Sequence, residues 1–273
     1  MLDPAQLIRR GKRQDAIFNI IGILFTLVGI VTLGILILDL LIDGLPRLST
    51  QFMTSFPSRS PARAGILSAW VGTLMVIFVT ICTAVPVGVA AAVYLEEYAT
   101  KNWVTTLIEI NISNLAGVPS IIYGLMALGL LVYQFHLGRS VLVGGLTLAL
   151  LVLPIVIVAT REAIRSIPST IREAAYAAGA TKWQVIRYHL LPYSMGGIAT
   201  GTIIAMSRAI GETAPLITIG ALSYVAYTPG WREFLNGSWL NSGFTVLPIQ
   251  MFNWVSRPEP EFLRNAAAAG LVL

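Results

Sequence analysis

Charge is scarce in this chain of 273 residues: 18 Lys and Arg and 13 Asp and Glu make up 11% of it. Soluble domains carry about 25% charged residues and ~45–50% apolar ones; counted the same way, with Gly and without Tyr, this chain is about 62% apolar. So little charge cannot solvate the outside of a water-soluble fold, and so much apolar content excludes a disordered chain. The single cysteine, Cys82, forbids an intrachain disulfide and with it a disulfide-stapled secreted domain. His136 and His189 stand far apart with no Cys or carboxylate at ligand spacing, so no metal site is expected. The strings G-x-x-x-x-G-K-[ST], H-E-x-x-H and G-x-S-x-G are missing. The chain is therefore expected to have no catalytic residues and no common nucleotide-phosphate cradle. If it pumps, the fuel is consumed elsewhere.

What is present is a series of long uncharged runs, of 23 residues between Asp15 and Asp39, 32 between Arg63 and Glu96 and 29 between Glu109 and Arg139. Further runs of 21, 20 and 19 residues lie between Arg139 and Arg161, Arg187 and Arg208, and Glu212 and Arg232. About 20 apolar residues in a helix cross a ~30 Å hydrocarbon core. Strict alternation of the β-barrel kind is absent from runs such as IIGILFTLVGIVTLGILIL. The expectation is an all-α, polytopic membrane protein with spans near 17–42, 64–94, 103–134, 139–160 and 192–223. A sixth begins near Phe262, but the stretch to Leu273 is too short to cross, so that span is expected to be incomplete. Residues 43–63 and 224–261 read as external loops.

The basic residues orient the chain. Arg9, Arg10, Lys12, Arg13, Lys101, Arg161, Arg165, Arg172, Lys182 and Arg187 fall on one side of the expected spans. Arg47, Arg59, Arg63, Arg139, Arg232 and Arg257 fall on the other. The richer side is expected in the cytoplasm, together with the N-terminus, in the inner (plasma) membrane. Membrane flanks account for the net charge of +5, and nucleic acid is not an expected partner. The segment behind RRGKR is too long for a signal peptide and is expected to stay as an anchor.

The cytoplasmic segment 161–191 has the most specific local grammar. Pro168 is expected to stop the preceding helix near Ile167. Thr170 to Glu173 fits a capping box, Gly179 suits a left-handed helix end, and Thr181 to Gln184 fits a second box that opens a helix running to Leu190 before Pro192. Two short helices joined at a glycine are expected on the inner membrane face, the first with Ile171, Ala174, Ala175 and Ala178 along one stripe. An amphipathic helix resting on lipid would satisfy the same pattern.

The spelling narrows that choice. Glu173-Ala174-Ala175, Gly179 and Leu191-Pro192 resemble the EAA signature of ABC-importer membrane subunits, with His189 where an aliphatic residue is usual. The string Asn114-Leu-Ala-Gly-Val-Pro-Ser-Ile-Ile-Tyr-Gly124 resembles the phosphate-importer permeases, as does Ser207-Arg-Ala-Ile-Gly-Glu-Thr-Ala-Pro-Leu216. The Ala-Pro ending of the second is more like the PstA type than the PstC type. The resemblance covers roughly residues 64–223 and implies a type I (MetI-like) importer fold with six spans. Residues 64–273 would form the core and 1–63 an N-terminal segment, first helix and external loop. It implies a second permease subunit of PstC type, two copies of a PstB-type ATPase that uses ATP and Mg, and an external phosphate-binding protein of PstS type. No cofactor would be bound by this chain. Glu173, Ala174, Ala175, Gly179, Leu191 and Pro192 would dock the ATPase. Transport of another oxyanion, sulfate or molybdate, keeps the same architecture; an ion-coupled carrier or channel without ATP is the rival of another class.

Within the expected spans Arg208 and Glu212 share a helix face and can pair. Ionisable groups in a span cost at least ~2.5–3.5 kcal/mol each, so they face partners or a polar path. Arg208 then either clips helices together through Glu212 or lines an anion path, since guanidinium matches phosphate oxygens. Asn114 and Ser120 are the corresponding polar candidates in the third span, where small-residue packing alone would also explain Gly117 and Gly124. Glu109, Asp39 and Asp43 read as membrane-edge groups.

Overall fold

The computed structural model describes residues 4–100, 102–222 and 224–273, with side chains from Lys12 onward; the Lys101 placement and the side chains of Arg9 and Arg10 lie outside the described residues. Among them are thirteen α-helices. They are α1 (Pro4–Gly44), α2 (Thr50–Thr54), α3 (Leu67–Val93), α4 (Trp103–Leu115), α5 (Ser120–Ala127), α6 (Val141–Arg165), α7 (Ser169–Ala177) and α8 (Lys182–Val185). They continue with α9 (Leu191–Gly211), α10 (Ala214–Thr218), α11 (Trp231–Leu235), α12 (Leu247–Val255) and α13 (Glu261–Val272). Three wide π-turns extend this set: Tyr94–Tyr98 after α3, Leu128–Gln134 after α5, and Ile186–Leu190 between α8 and α9.

Among the described residues, three helical stretches are long and apolar enough to cross a membrane: Lys12–Arg47, Leu67–Tyr98 and Val141–Arg165. The expected third span is not one rod. Trp103–Leu115 and Ser120–Gln134 meet at 104°, because Gly117 and Pro119 interrupt the hydrogen-bond ladder and Pro119, at φ −54° and ψ 133°, starts α5 afresh. Tyr123 holds the corner by donating its hydroxyl to the Leu115 carbonyl at 2.9 Å. The expected fifth span is also shorter than 192–223. Its helix ends at Gly211, where Glu212 turns to extended backbone (φ −81°, ψ 122°). Gly, Ser, Thr and Arg208 in α9 keep it outside the helices that pass as spans by apolarity.

The membrane core lies between α3 and α6, with α9, α5 and α10 around it. Val76, Val79, Leu148, Val152, Val156, Ala205 and Leu216 are buried there. Small residues set the spacing: a Cβ on Gly145 would lie 2.5 Å from Val79, and one on Gly201 2.3 Å from Ala159. A second cluster joins Phe52, Ile66, Trp254 and Phe262. A third, with Val93, Ile164, Ile167, Ala175, Val185, Ile186 and Leu190, seats α7 and α8 on the ends of α3 and α6. The span of α1 is unburied within the chain. Its far end, at Gly44, packs against Ala267, Ala268 and Leu271 of α13.

Candidate functional site

Pro168 ends the long α6 and begins α7. Helix α6 stops at Arg165, and Pro168 precedes Ser169 with φ −56° and ψ 139°. Starting there, α7 leaves Thr170 inside its first turn, so the expected Thr170–Glu173 capping box does not form and no side chain caps this helix. Its other end matches the sequence. Gly179 has φ +83°, its N–H bonds the Tyr176 carbonyl at 2.9 Å, and the Ala180 N–H bonds that of Ala175 at 3.1 Å. That pair of bonds is the Schellman closure, which favours glycine because other residues strain at positive φ. The Thr181–Gln184 capping box is present in both directions, with the Thr181 N–H donating to Gln184 Oε1 at 2.8 Å.

The expected apolar stripe on α7 splits in two. Ile171 and Ala175 turn inward to the third cluster, whereas Glu173, Ala174, Ala178 and Gly179 are exposed. The helix thus spends two of its apolar positions on its own chain and presents the other two, with Glu173, to the outside. Pro192 does not end the second helix. The π-turn Ile186–Leu190 runs straight into α9, and Pro192 sits in its first turn, where a missing N–H costs least. Leu191 packs against the third cluster and Pro192 is exposed. His189 is half-buried, while Ile186 and Leu190 fill the apolar role beside it.

Arg208 and Glu212 form the expected pair: Nε lies 3.6 Å from Oε1, with the Arg side chain 43% exposed and the Glu 20%. The two strings singled out by sequence also meet, through α5 and α10. Gly124 abuts Pro215 and Thr218 so closely that a Cβ would fall 2.7–2.9 Å from them. Asn114 lies elsewhere. It lines a cleft of about 480 Å³ with Glu109, Ser113, Glu162, Arg161 and Arg165. Ser120 is half-buried at the start of α5. No hydrogen bond or ion pair among the described residues joins Asn114 or Ser120 to Arg208 or Glu212. Asp39 and Asp43 are exposed on α1.

Sequence reasoning missed a network of charges at the α6–α7 corner. Arg161, 9% exposed, donates to Glu109 on α4 and approaches Glu96 at 3.4 Å. Arg165 donates to Glu96 at 2.9 Å. Arg172 bonds Glu97 at 3.1 Å and the carbonyls of Ile164 and Ile167 at 3.1 Å each. The exposed Arg165–Glu162 contact at 3.6 Å contributes about 0–1 kcal/mol, but stranding Arg161, only 9% exposed, would cost more, because its charge is largely removed from water. Glu109, half-buried, is therefore the bonded partner of Arg161. Its signal in the sequence is the presence of carboxylates at 96, 97 and 109 on the side that carries most of the basic residues.

Comparison with known proteins follows the same outline. The profile of the binding-protein-dependent transport system inner membrane component matches residues 84–254, from mid-α3 to the end of α12. A probable ABC transporter permease of Bacillus subtilis, YqgI, is 32% identical over 240 residues, covering 86% of this chain and 82% of that one. The phosphate transport system permease PstA of Yersinia pestis is 32% identical over 257 residues, 94% of this chain and 80% of its own. PstA of Haemophilus influenzae is 30% identical over 252 residues, 90% and 83%. The exposed glycine-closed hairpin and most of the multi-helix apolar core, apart from Val76 and Val79 of α3, lie inside the matched region, and the chain belongs to the binding-protein-dependent transport system inner membrane component family.

Proposed function

We propose that this chain is the permease subunit of an ATP-driven importer that moves inorganic phosphate across the inner membrane, and that its N-terminus is cytoplasmic. The observation that carries the reading is the α7–α8 hairpin. Glu173, Ala174 and Ala178 are exposed on a short helix whose other face is fixed to the ends of α3 and α6. A helix resting on lipid would bury its apolar face in the bilayer, whereas here Ile171 and Ala175 already face protein. What remains outside is a surface of small residues beside a carboxylate and the 44%-exposed Tyr176, suited to a protein groove. The hairpin would dock a separate cytoplasmic ATPase in two copies, and a second permease subunit and an external phosphate-binding protein would complete the importer. Residues 64–273 would form the transport core and 1–63 an anchor. The relatives named as phosphate permeases support the substrate, and Arg208, oriented by Glu212, is the group in this reading that would meet it.

The test is reconstitution. Vesicles holding all four subunit types should take up labelled phosphate only with ATP inside and binding protein outside, and a tenfold excess of sulfate or molybdate should not compete. Uptake without an ATPase subunit would replace the importer with an ion-coupled carrier. Competition by sulfate or molybdate at equal strength would replace the substrate.

A further inference from the structure

Three consecutive residues of the wide turn Tyr94–Tyr98 each hold a different helix. Glu96 takes Arg165 and Arg161 of α6. Glu97 takes Arg172 of α7. The ring of Tyr98 lies under Lys182, the first residue of α8, whose Nζ is 4.8 Å from the ring centroid. Successive side chains at a helix end point in different directions, and the π-turn here, closed by the Ala99 N–H to Tyr94 carbonyl bond at 2.8 Å, widens that fan. Turns of this kind recur at functional sites.

The contacts continue past the turn. Arg161, held by Glu96, also donates to Glu109, and five positions on from Glu109 stands Asn114, in the cleft between α4 and α6. An unbroken series of charged contacts thus runs from the hairpin through the turn to α4. Its inner members are shielded: the side chains of Glu97 and Arg161 are 9% exposed and that of Glu96 17%, whereas Arg172 is 21%, Glu109 37% and Arg165 47% exposed. A shielded charge does not part readily from its partner, because separation strands both. If α7 moves, Glu97 must follow it.

We infer that the turn Tyr94–Tyr98 receives the movement of the α7–α8 hairpin, with Glu97 and Arg172 as positioning residues, and that the Arg161–Glu109 bond passes it to the cleft beside Asn114. This rests on the reading of the hairpin as the ATPase-docking element, and it does not depend on which anion is carried.

The experiment reads the cleft directly. In the full complex with Cys82→Ser, a reporter cysteine is placed by Ser113→Cys, on the cleft wall, and its labelling by a charged maleimide is timed with and without ATP plus vanadate. Trapping should change the labelling rate at least fivefold. Glu97→Gln keeps both carbonyl bonds of Arg172, so α7 stays seated, but removes the charge link. Hydrolysis should persist, the labelling change should shrink below twofold, and uptake per complex should fall at least tenfold. Arg172→Lys, which retains the charge, should keep at least half of the change. A Glu97→Gln complex with the wild-type labelling change and uptake overturns the inference, as does an unmutated complex whose labelling ignores the nucleotide. A complex that responds to nucleotide through Glu97 but carries no phosphate upholds it and rejects the substrate reading instead.

Discussion

Gly124 and Pro215 stand so close that no side chain fits between them: a Cβ on Gly124 would lie 2.7 Å from both the Cα and the carbonyl oxygen of Pro215. Ninety-one positions apart in sequence, they join the two helices that resume after breaks, α5 after the 104° corner and α10 after the turn at Glu212. Backbone cannot yield as the tip of a flexible side chain can. Gly124→Ala should therefore destabilise the complex by about 1–3 kcal/mol through overpacking. Gly129→Ala is the control, since a Cβ there meets nothing within 4 Å. Thermal unfolding of the purified complexes measures both, and equal midpoints would mean that the α5–α10 contact yields without cost.

Gly179 raises a question of geometry rather than space. A Cβ there would meet nothing within 4 Å, but φ is +83°. Left-handed backbone costs a non-glycine residue roughly 1–2 kcal/mol, and a β-branched one more. Gly179→Val should distort the turn between α7 and α8 and lower uptake by tenfold or more, while Gly179→Asn, more tolerant of this region, should lower it only severalfold. Uptake normalised to assembled complex decides. Equal, wild-type uptake in both variants would free the docking hairpin from any need for this turn.

On the α1–α13 side, Arg47 ties three segments together. Its Nε donates to Asn265 Oδ1 at 2.6 Å, its Nη2 lies within 3.0 Å of the carbonyls of Pro61, Ala62 and Ala64, and Asn265 Nδ2 donates to Pro61 at 2.9 Å. Removing one partner from part-buried polar groups costs about 1–3 kcal/mol. Arg47→Met should lower the melting midpoint and speed proteolysis between residues 56 and 64, with Asn265→Ala giving a similar, smaller effect. Unchanged cleavage in Arg47→Met would mean that the loop is held by Phe52 and Ile66 alone.

The parts of this architecture that sequence reveals are those governed by neighbours in the chain. Pro168 as a stop, Gly179 as a left-handed closure, the Thr181–Gln184 box and the four-residue spacing of Arg208 and Glu212 are all local, and all stand in the structure. The corner at 116–119 was hidden because an uncharged run counts residues and not directions: Gly117 and Pro119 carry the break, yet no charge marks it. Pro192 misled in the opposite sense, since a local stop signal was absorbed by the π-turn before it. The pairing of Glu97 with Arg172, 75 positions away, leaves no spacing signature. Only the presence of both signs of charge at one membrane face hints at it.

Arg208 presents the sharpest remaining choice, between scaffold and anion path. Its side chain is 43% exposed and its Nε lies 3.6 Å from Glu212 Oε1, so the guanidinium is paired on one side and open on the other. Arg208→Gln retains a long polar side chain, so packing changes little, but leaves Glu212 facing a neutral group. If the pair were only a clip, neutralising both members by Arg208→Gln with Glu212→Gln would strand no charge and should restore uptake. If Arg208 meets the substrate, the double variant should assemble at wild-type abundance and still lose at least 90% of phosphate uptake, because nothing replaces the positive charge that matches the anion. Uptake per assembled complex in the double variant is the deciding measurement. Recovery to half of wild type or more would return Arg208 to the scaffold.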